Sequence, residues 1–568
     1  MIKAFIETFN IEPYQEVIQK TLADFRTSDI IARIWKKDHT VWKDKDEDIS
    51  GRLGWLESPE RMASARPEIE RFVEGVRRDG YDQALLLGMG GSSLAGEVFS
   101  EVFGTAKGFL QLNILDSTDP ETILGFANSL PLDKTLFIVS SKSGTTLETA
   151  SFLNYFYTRA AEALGKDRAG RHFAAITDPG TPLEKTARSL QFRHNFAGLP
   201  DVGGRFSVLS PFGLVPAAVI GLDMSKLLEA SRKTARLCRN PDPRHNPGAW
   251  LGLILGGLAQ AGKDKATFLI SPRMESLGAW IEQLLAESTG KEGLGILPIV
   301  KEHEFVPDKL ANDRVYIGIQ LGEDRMYDPV IGLLKQSGRP LVTMTVADLD
   351  ELGSPLFLWE MATAVAGRVL KINPFDQPDV AASKKKTEVL LNVYRETGCL
   401  PEEKPSFESQ DFVLYSEAPT RDLGEGLHGF LREAEPGDYI AIQAFLPTRP
   451  EIDAAVQKLT AKLRSKTRLA VTADFGPRFL HSTGQFHKGG RGNGLFIQLT
   501  AENKVDAPVP DGPGAPSSSY SFGILKQAQA RGDWEALREK DRRIVRVHIK
   551  NDLLEGLKKL ASSLASES

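Results

Sequence analysis

The chain lacks several features that would assign it to common classes of protein. It has two cysteines among 568 residues, Cys238 and Cys399, so a disulfide framework is excluded, and neither lies in a C-x-x-C metal motif. It has 70 Lys and Arg and 75 Asp and Glu, and the resulting net charge of −5 argues against general nucleic-acid binding. It has no apolar run long enough to span a bilayer, no signal-like N-terminus and no H-E-x-x-H metal motif. We therefore expect a cytoplasmic protein without a metal or other cofactor, and without a membrane or nucleic-acid partner.

Strand-like apolar runs alternate with helical patterns over most of the chain. This alternation is typical of parallel α/β sheets covered by helices on both faces, and the length predicts several domains. We predict an N-terminal helical segment (1–60), two doubly wound domains (61–230 and 231–400) and a further α/β region (401–568). The predicted strands are 83–87, 110–115, 135–139, 172–176, 267–270, 315–320, 340–346, 438–444, 468–473, 495–499 and 544–549. A stretch rich in Pro, Gly and Ser, 506–519, predicts a loop.

The segment S-S-K-S-G-T-T-L-E-T, which starts at Ser140, has the strongest local signal. It follows a predicted strand, precedes a helical pattern, and holds five Ser or Thr within 140–146. Thr145 and Glu148 have the spacing of a capping box. Free N–H groups and the positive end of the helix dipole make such a helix start a binding site for an anion, usually phosphate. An ordinary capped turn is the alternative, but five hydroxyls are more than a cap requires.

A second turn, G-M-G-G-S-S from Gly88, follows the first predicted strand. A dinucleotide fingerprint would need glycine where Ser93 stands, so NAD binding is disfavoured. Neighbouring parallel strands present their C-terminal turns at one edge of the sheet. We therefore expect this turn and the hydroxyl-rich turn to face the same ligand.

Four further side chains are candidates for chemistry. Arg205, in G-G-R-F-S, offers a permanent cation that can stabilise an oxyanion, although a surface arginine beside a turn is the simpler interpretation. Glu287 ends an amphipathic helix, where the negative dipole end disfavours a carboxylate; it is either a general base or a frayed, solvated residue. His481 follows a strand and can act as an acid–base group or have a structural role. Lys384 lies in a lysine triplet that is ordinarily a solvated helix face.

Five segments together resemble the phosphoglucose isomerase family, in the family's order. They are G-M-G-G-S, S-S-K-S-G-T-T-L-E-T, G-G-R-F-S, A-E-S-T-G-K-E-G and N-P-F-D-Q-P-D-V-A-A-S-K. The resemblance implies two SIS-type (sugar isomerase) domains and the interconversion of glucose 6-phosphate and fructose 6-phosphate through a cis-enediol. The flanking sequences resemble the isomerase half of bifunctional transaldolase–isomerase proteins, but the chain has no room for a transaldolase barrel.

The resemblance also implies roles for individual residues. Glu287 matches the base that moves a proton between C2 and C1, and Arg205 matches the group that stabilises the enediolate. Lys384 matches a lysine paired with ring opening. The residues that match substrate contacts, chiefly to the phosphate, are Gly91, Ser92, Ser141, Lys142, Ser143, Thr146 and Gln377.

The chain departs from the family in its histidine. The family's ring-opening histidine lies between the glutamate and the N-P-F-D-Q loop, where this chain has only His303, without a matching motif. H-S-T-G-Q at His481 resembles the family's histidine segment instead. We therefore predict that His481, displaced to the C-terminal region, opens the ring. This leaves open a homodimer or a monomer with the histidine supplied in cis, and a functional link to transaldolase.

Two other functions are compatible with the sequence. A dual phosphoglucose/phosphomannose isomerase would use the same groups, because the two aldoses differ only at C2. A non-catalytic sugar-phosphate-binding regulator would keep the hydroxyl-rich loop but would not need Glu287, Arg205 and Lys384 together.

Overall fold

In the first α/β region, two central strands end in the glycine-rich turn and the hydroxyl-rich turn described above. The computed structural model of the chain describes residues 6–302 and 310–564. The first sheet is parallel throughout, with strands in the order Gln111–Leu115, Gln83–Gly88, Thr135–Ser140, Phe173–Thr177 and His194–Ala197. Gly88 pairs with Ser140, so the two turns lie side by side at the carboxyl edge.

Helices cover both faces of this sheet. Every residue of the strand Thr135–Ser140 is buried, as expected for a strand between two helical layers. The helices of this region are Ser58–Arg78, Leu94–Phe103, Pro120–Ser129, Leu147–Leu164, Lys166–Ala169, Pro182–Ser189 and Pro211–Val219.

The second sheet recruits a strand from the N-terminal segment. Its order is Ile6–Phe9, Leu341–Val346, Arg314–Leu321, Lys265–Ile270 and Leu297–Ile299, and only Ile6–Phe9 runs antiparallel. The predicted N-terminal helical segment (1–60) therefore needs correction at 6–9, where four residues are too few to show a strand period. The associated helices are Gln15–Thr27, Ile30–Trp35, Met224–Leu237, Pro247–Gln260, Leu277–Thr289, Asp328–Gln336, Gly353–Leu370 and Val380–Thr397.

The third sheet mixes parallel and antiparallel strands. Its order is Phe407–Glu408, Phe412–Tyr415, Arg543–Ile549, Gly494–Ala501, Tyr439–Phe445 and Ala470–Phe475, and the last four are parallel. Its helices are Leu423–Leu431, Pro450–Thr467, Gly484–Gly489, Phe522–Arg538 and Leu553–Ser563.

The stretch predicted as a loop, 506–519, contains part of a small hairpin. Pro508–Pro510 pairs with Ser518–Ser521, and this hairpin lies on the helix Leu147–Leu164 of the first region. Asn154 Nδ2 donates to the carbonyl of Pro510 at 2.9 Å, and the N–H of Gly514 donates to Thr158 Oγ1 at 2.9 Å. The prediction was incomplete because Pro and Gly indicate turns but not what the turns pack against.

The third region also docks through the helix Phe522–Arg538. Phe522 is buried and stacks on Phe152 of the first region, with ring centroids 6.2 Å apart. Gly532 approaches the second region so closely that an added Cβ would lie 2.8 Å from Thr387 Oγ1. This helix therefore joins all three regions. Among the residues that the structure describes, no helix combines the length and apolar character needed to cross a membrane.

Candidate active site

The two turns of the first sheet are packed against other parts of the site. Gly90 has a positive φ of 54°, and a Cβ there would lie 2.8 Å from the carbonyl oxygen of His481. A Cβ on Gly91 would lie 2.1 Å from the carbonyl oxygen of Gly204, next to Arg205. The glycines are therefore required for close backbone approach, and Ser92 follows them in the same turn.

The hydroxyl-rich turn gathers its side chains before an 18-residue helix, Leu147–Leu164. Ser141 Oγ lies 3.0 Å from Thr146 Oγ1, and Ser143 Oγ lies 2.9 Å from Thr145 Oγ1. These hydroxyls and the free N–H groups of the first helical turn can together bind an anionic group.

The predicted capping box is wrong. Thr146, and not Thr145, precedes the first helical residue, and it makes no side-chain capping hydrogen bond. Glu148 does not reach back to the turn, because its carboxylate is bound by His481 and Gln529.

Lys142 is engaged away from the hydroxyls. Its ammonium group donates to Asp178 Oδ2 at 2.5 Å and to the carbonyl oxygen of Leu199 at 2.9 Å. Burial lowers the pKa of Lys142, and Asp178 opposes that effect. The charge of Lys142 is thus neutralised within the protein rather than offered openly to a ligand.

Arg205 lies in the interior and is not the surface arginine that the local sequence favoured. Its Nε donates to Ser288 Oγ at 2.7 Å, and its Nη1 donates to Gln377 Oε1 at 3.1 Å. Its Nη2 donates to the carbonyl oxygens of Pro374 and Asp376 at 2.7 and 2.8 Å. Burial lowers the pKa of Arg205, while nearby Glu287 and Asp376 raise it. The guanidinium is therefore a cation fixed in one orientation.

Glu287 lies beside this cation. Its Oε1 is 3.3 Å from Arg205 Nη1, and the exposed fractions of the two side chains are 8% and 2%. Its other oxygen accepts a hydrogen bond from Gln283 Nε2 at 3.1 Å. The helix continues to Thr289, so Glu287 is held in the last turn and is neither frayed nor solvated.

Lys291 joins the segment of Glu287 to the N-P-F-D-Q loop. Its ammonium group donates to the carbonyl oxygen and to Oδ1 of Asp376, both at 2.6 Å. Burial and then the charge of Arg205 lower its pKa to about 8, although Asp376 opposes them. We did not single out this lysine from the sequence, although it lies in the E-S-T-G-K segment.

His481 reaches the site from the third region of the same chain. It ends the short turn Arg478–His481 after the strand Ala470–Phe475, and its Nε2 lies 3.0 Å from Glu148 Oε1. Its carbonyl oxygen accepts from Gln283 Nε2 at 2.7 Å, so one amide bridges His481 and Glu287. The competing candidate, His303, lies outside the described residues.

Glu148 is the partner that our sequence reasoning missed. Burial raises its pKa, but His481 and then Lys384 lower it more, and the pKa lies at about 2. Because an ionised carboxylate only accepts hydrogen bonds, Nε2 of His481 carries the proton between them. Nδ1 of His481 makes no hydrogen bond with the residues that the structure describes and can face a ligand. The T-x-x-E spacing of Thr145 and Glu148 predicted a helix cap and gave no indication that Glu148 binds His481.

Lys384 lies at the edge of this group. It is exposed on the helix Val380–Thr397, and its charge acts on Glu148 without a direct ion pair in the described part of the chain. Over the same residues, no group of three or more His, Cys, Asp and Glu side chains could hold a metal ion. The site thus combines a turn whose hydroxyl and N–H groups can bind an anion, a carboxylate beside a fixed cation, and an imidazole beside a second carboxylate.

Parts of the chain are similar to known proteins. Residues 73–295 match the model of the phosphoglucose isomerase family. A probable glucose-6-phosphate isomerase of Methanococcus maripaludis is 28% identical over 379 residues, covering 60% of this chain and 84% of that protein. The glucose-6-phosphate isomerase of Rubrobacter xylanophilus is 29% identical over 404 residues, covering 60% and 92%.

A solved structure shows the same fold. The glucose-6-phosphate isomerase of Chlamydia trachomatis superposes with a TM-score of 0.51 at 19% identity, covering 68% of this chain and 85% of that one. This likeness shows a shared fold over 68% of the chain, whose three large sheets form three α/β regions.

Proposed function

We propose that this chain, whose residues 73–295 belong to the phosphoglucose isomerase family, interconverts glucose 6-phosphate and fructose 6-phosphate through a cis-enediol intermediate. The observation that carries the proposal is the pair of Glu287 and Arg205, both buried and 3.3 Å apart. A carboxylate beside a fixed cation can remove a proton from carbon and stabilise the resulting oxyanion.

Substrate binding begins at the 6-phosphate. The hydroxyls of Ser92, Ser141, Ser143 and Thr146 and the start of the helix Leu147–Leu164 bind it. A phosphate fixed there orients the sugar so that C1 and C2 face Glu287.

Ring opening uses the imidazole. Nδ1 of the protonated His481 gives its proton to the ring oxygen as the bond from that oxygen to C1 breaks, and the O1 hydroxyl becomes the carbonyl as its own proton passes to water. Glu148 stabilises the positive charge that the imidazole carries before it gives up this proton. Lys384 adds positive charge at the same edge of the site.

Proton transfer follows on the open chain. Glu287 takes the proton from C2 and returns it to C1, while the proton of the O2 hydroxyl moves to O1. The guanidinium of Arg205 stabilises the negative charge on the enediolate oxygens. Gln377, bound to Arg205, contacts the substrate hydroxyls.

The proposal extends to the subunits that build the site, the cellular compartment and a link to transaldolase. One chain provides every side chain named above, so the site does not need a histidine from a second subunit. A reducing cytoplasm suits two free cysteines. A functional link to transaldolase rests on the flanking sequences and on the shared fructose 6-phosphate.

A coupled assay on fructose 6-phosphate tests the proposal. The parent protein should turn over, and Glu287→Gln should lower kcat by about 10³-fold or more while the acyclic glucitol 6-phosphate still binds. Binding without turnover in the parent would favour a regulator. Equal turnover of mannose 6-phosphate would favour the dual isomerase, and unchanged turnover of Glu287→Gln would contradict the assigned base.

A further inference from the structure

The third region contributes a second side chain beside His481. Gln529, on the helix Phe522–Arg538, donates from Nε2 to Glu148 Oε1 at 2.7 Å. His481 Nε2 donates to the same oxygen at 3.0 Å. Gln529 is 2% exposed and Glu148 is 5% exposed, so water does not compete for these bonds.

Thr118 of the first region fixes the orientation of this amide. Its hydroxyl donates to Gln529 Oε1 at 2.7 Å, and Thr118 is fully buried. A flipped amide would turn its NH₂ group toward Thr118 and its oxygen toward the carboxylate of Glu148, where two acceptors would repel each other. The chain of hydrogen bonds from Thr118 through Gln529 to Glu148 therefore has one favourable arrangement.

This arrangement determines how the imidazole is presented. Glu148 belongs to the first region and His481 to the third, so the backbone does not fix one side chain relative to the other. Without a second donor, the carboxylate of Glu148 could rotate, and the imidazole of His481 could rotate with it. With Gln529 in place, one carboxylate oxygen is held and Nε2 of His481 is directed to it. Nδ1 is then directed toward the ligand in a fixed orientation.

We propose that Gln529 is a positioning residue for ring opening, acting through Glu148 on His481. The inference rests on the proposed function, because it assumes that His481 opens the sugar ring. It gives the helix Phe522–Arg538 a role in the reaction in addition to its packing.

The experiment isolates ring opening from proton transfer at carbon. In a Glu287→Gln background, isomerisation is blocked, and the enzyme-catalysed exchange between the α and β anomers of glucose 6-phosphate is measured by NMR saturation transfer. Gln529→Leu should lower kcat for this exchange by about tenfold, as expected for loss of a hydrogen bond to a charged group. KM should stay within about twofold, because the phosphate contacts are untouched.

Two further variants keep the outcome interpretable. Thr118→Val keeps the side-chain volume but frees the amide, and it should lower the exchange kcat by about threefold. Gln498→Leu is the matched control, since Gln498 is buried and donates to the carbonyl oxygen of Ala530 on the same helix at 3.0 Å. It should leave the exchange rate within about twofold of its parent.

Each result decides the proposal. A selective loss of kcat in Gln529→Leu and Thr118→Val supports it. Equal rates in Gln529→Leu and Gln498→Leu, or a change confined to KM, would overturn it. If Gln529→Leu does not fold, Thr118→Val alone decides in the same way. A parent protein that never isomerises sugar phosphates would instead reject the proposed function.

Discussion

The proposed anion-binding turn and the proposed acid–base centre are assembled in opposite ways. The turn takes its hydroxyls from one short segment, 140–146, and from its neighbour at Ser92. The acid–base centre takes Arg205 from the first region, Glu287 from the second and His481 from the third. Consecutive residues determine the geometry of the turn, whereas the relative positions of Arg205, Glu287 and His481 depend on how the three regions pack together.

After Glu287→Gln, the largest effect is expected at Arg205, which binds several other residues of the proposed acid–base centre. Arg205→Gln should lower kcat by about 10²–10³-fold, because it removes the fixed cation and leaves Glu287 buried without its partner. Steady-state assays on fructose 6-phosphate measure this. Arg188→Gln, at an exposed ion pair with Glu184, should leave kcat unchanged. An Arg205→Gln enzyme of normal kcat would remove the guanidinium from the mechanism.

The next effect concerns the histidine. His481→Asn should lower kcat by about 10²-fold, and anomer exchange should fall at least as far as overall turnover. The same pair of assays on His303→Asn should give parental rates. If His303→Asn loses ring opening while His481→Asn retains it, the histidine has been assigned to the wrong position.

A smaller effect is expected at the local site. Ser141→Ala should raise KM for fructose 6-phosphate by about fivefold and leave kcat within about twofold, because the phosphate contact is made in ground state and transition state alike. Ser100→Ala, in the helix Leu94–Phe103, is a hydroxyl control. A fall in kcat without a change in KM would show that this turn does more than hold the phosphate.

The smallest expected effect is on stability in acid. The pKa of Glu148 is lowered from 4.5 to about 2 in the folded chain, so its ionisation stabilises the fold above pH 4.5 and this contribution is lost as the pH falls toward 2. Urea unfolding of the parent and of Glu148→Gln should therefore converge over that range. Glu60→Gln, at an exposed carboxylate, should show no such convergence. Parallel curves would mean that Glu148 is not ionised in the folded chain.

The sequence predicted the central strands well. Runs such as 83–87 and 135–139 coincide with buried parallel strands, because a strand covered on both faces is apolar along its whole length. Short edge strands were missed: His194–Ala197 has only four residues, two of them polar, and Leu297–Ile299 has three residues that include Pro298. Such strands form because an adjacent strand pairs with them, and their own residues show little preference for a strand.

The site divides along the same line. The family resemblance identified Glu287 and Arg205 as site residues. From the local sequence alone, a general base and a solvated glutamate were equally good interpretations of Glu287, and a surface arginine was the better interpretation of Arg205. Glu148 shows the limit most clearly: its spacing indicated a cap, while its carboxylate is bound by two residues from the third region, His481 and Gln529. No local pattern contains a partner more than 300 residues away.

The most direct test of the central claim is complementation between two inactive variants. Glu287→Gln and His481→Asn are co-expressed with different tags, and doubly tagged protein or, failing that, the mixture is assayed on fructose 6-phosphate. If each site is built within one chain, every site lacks one group, and activity should not exceed that of the variants alone. Recovery toward about a quarter of parental activity in a statistical mixture of dimers would show that the histidine crosses between subunits.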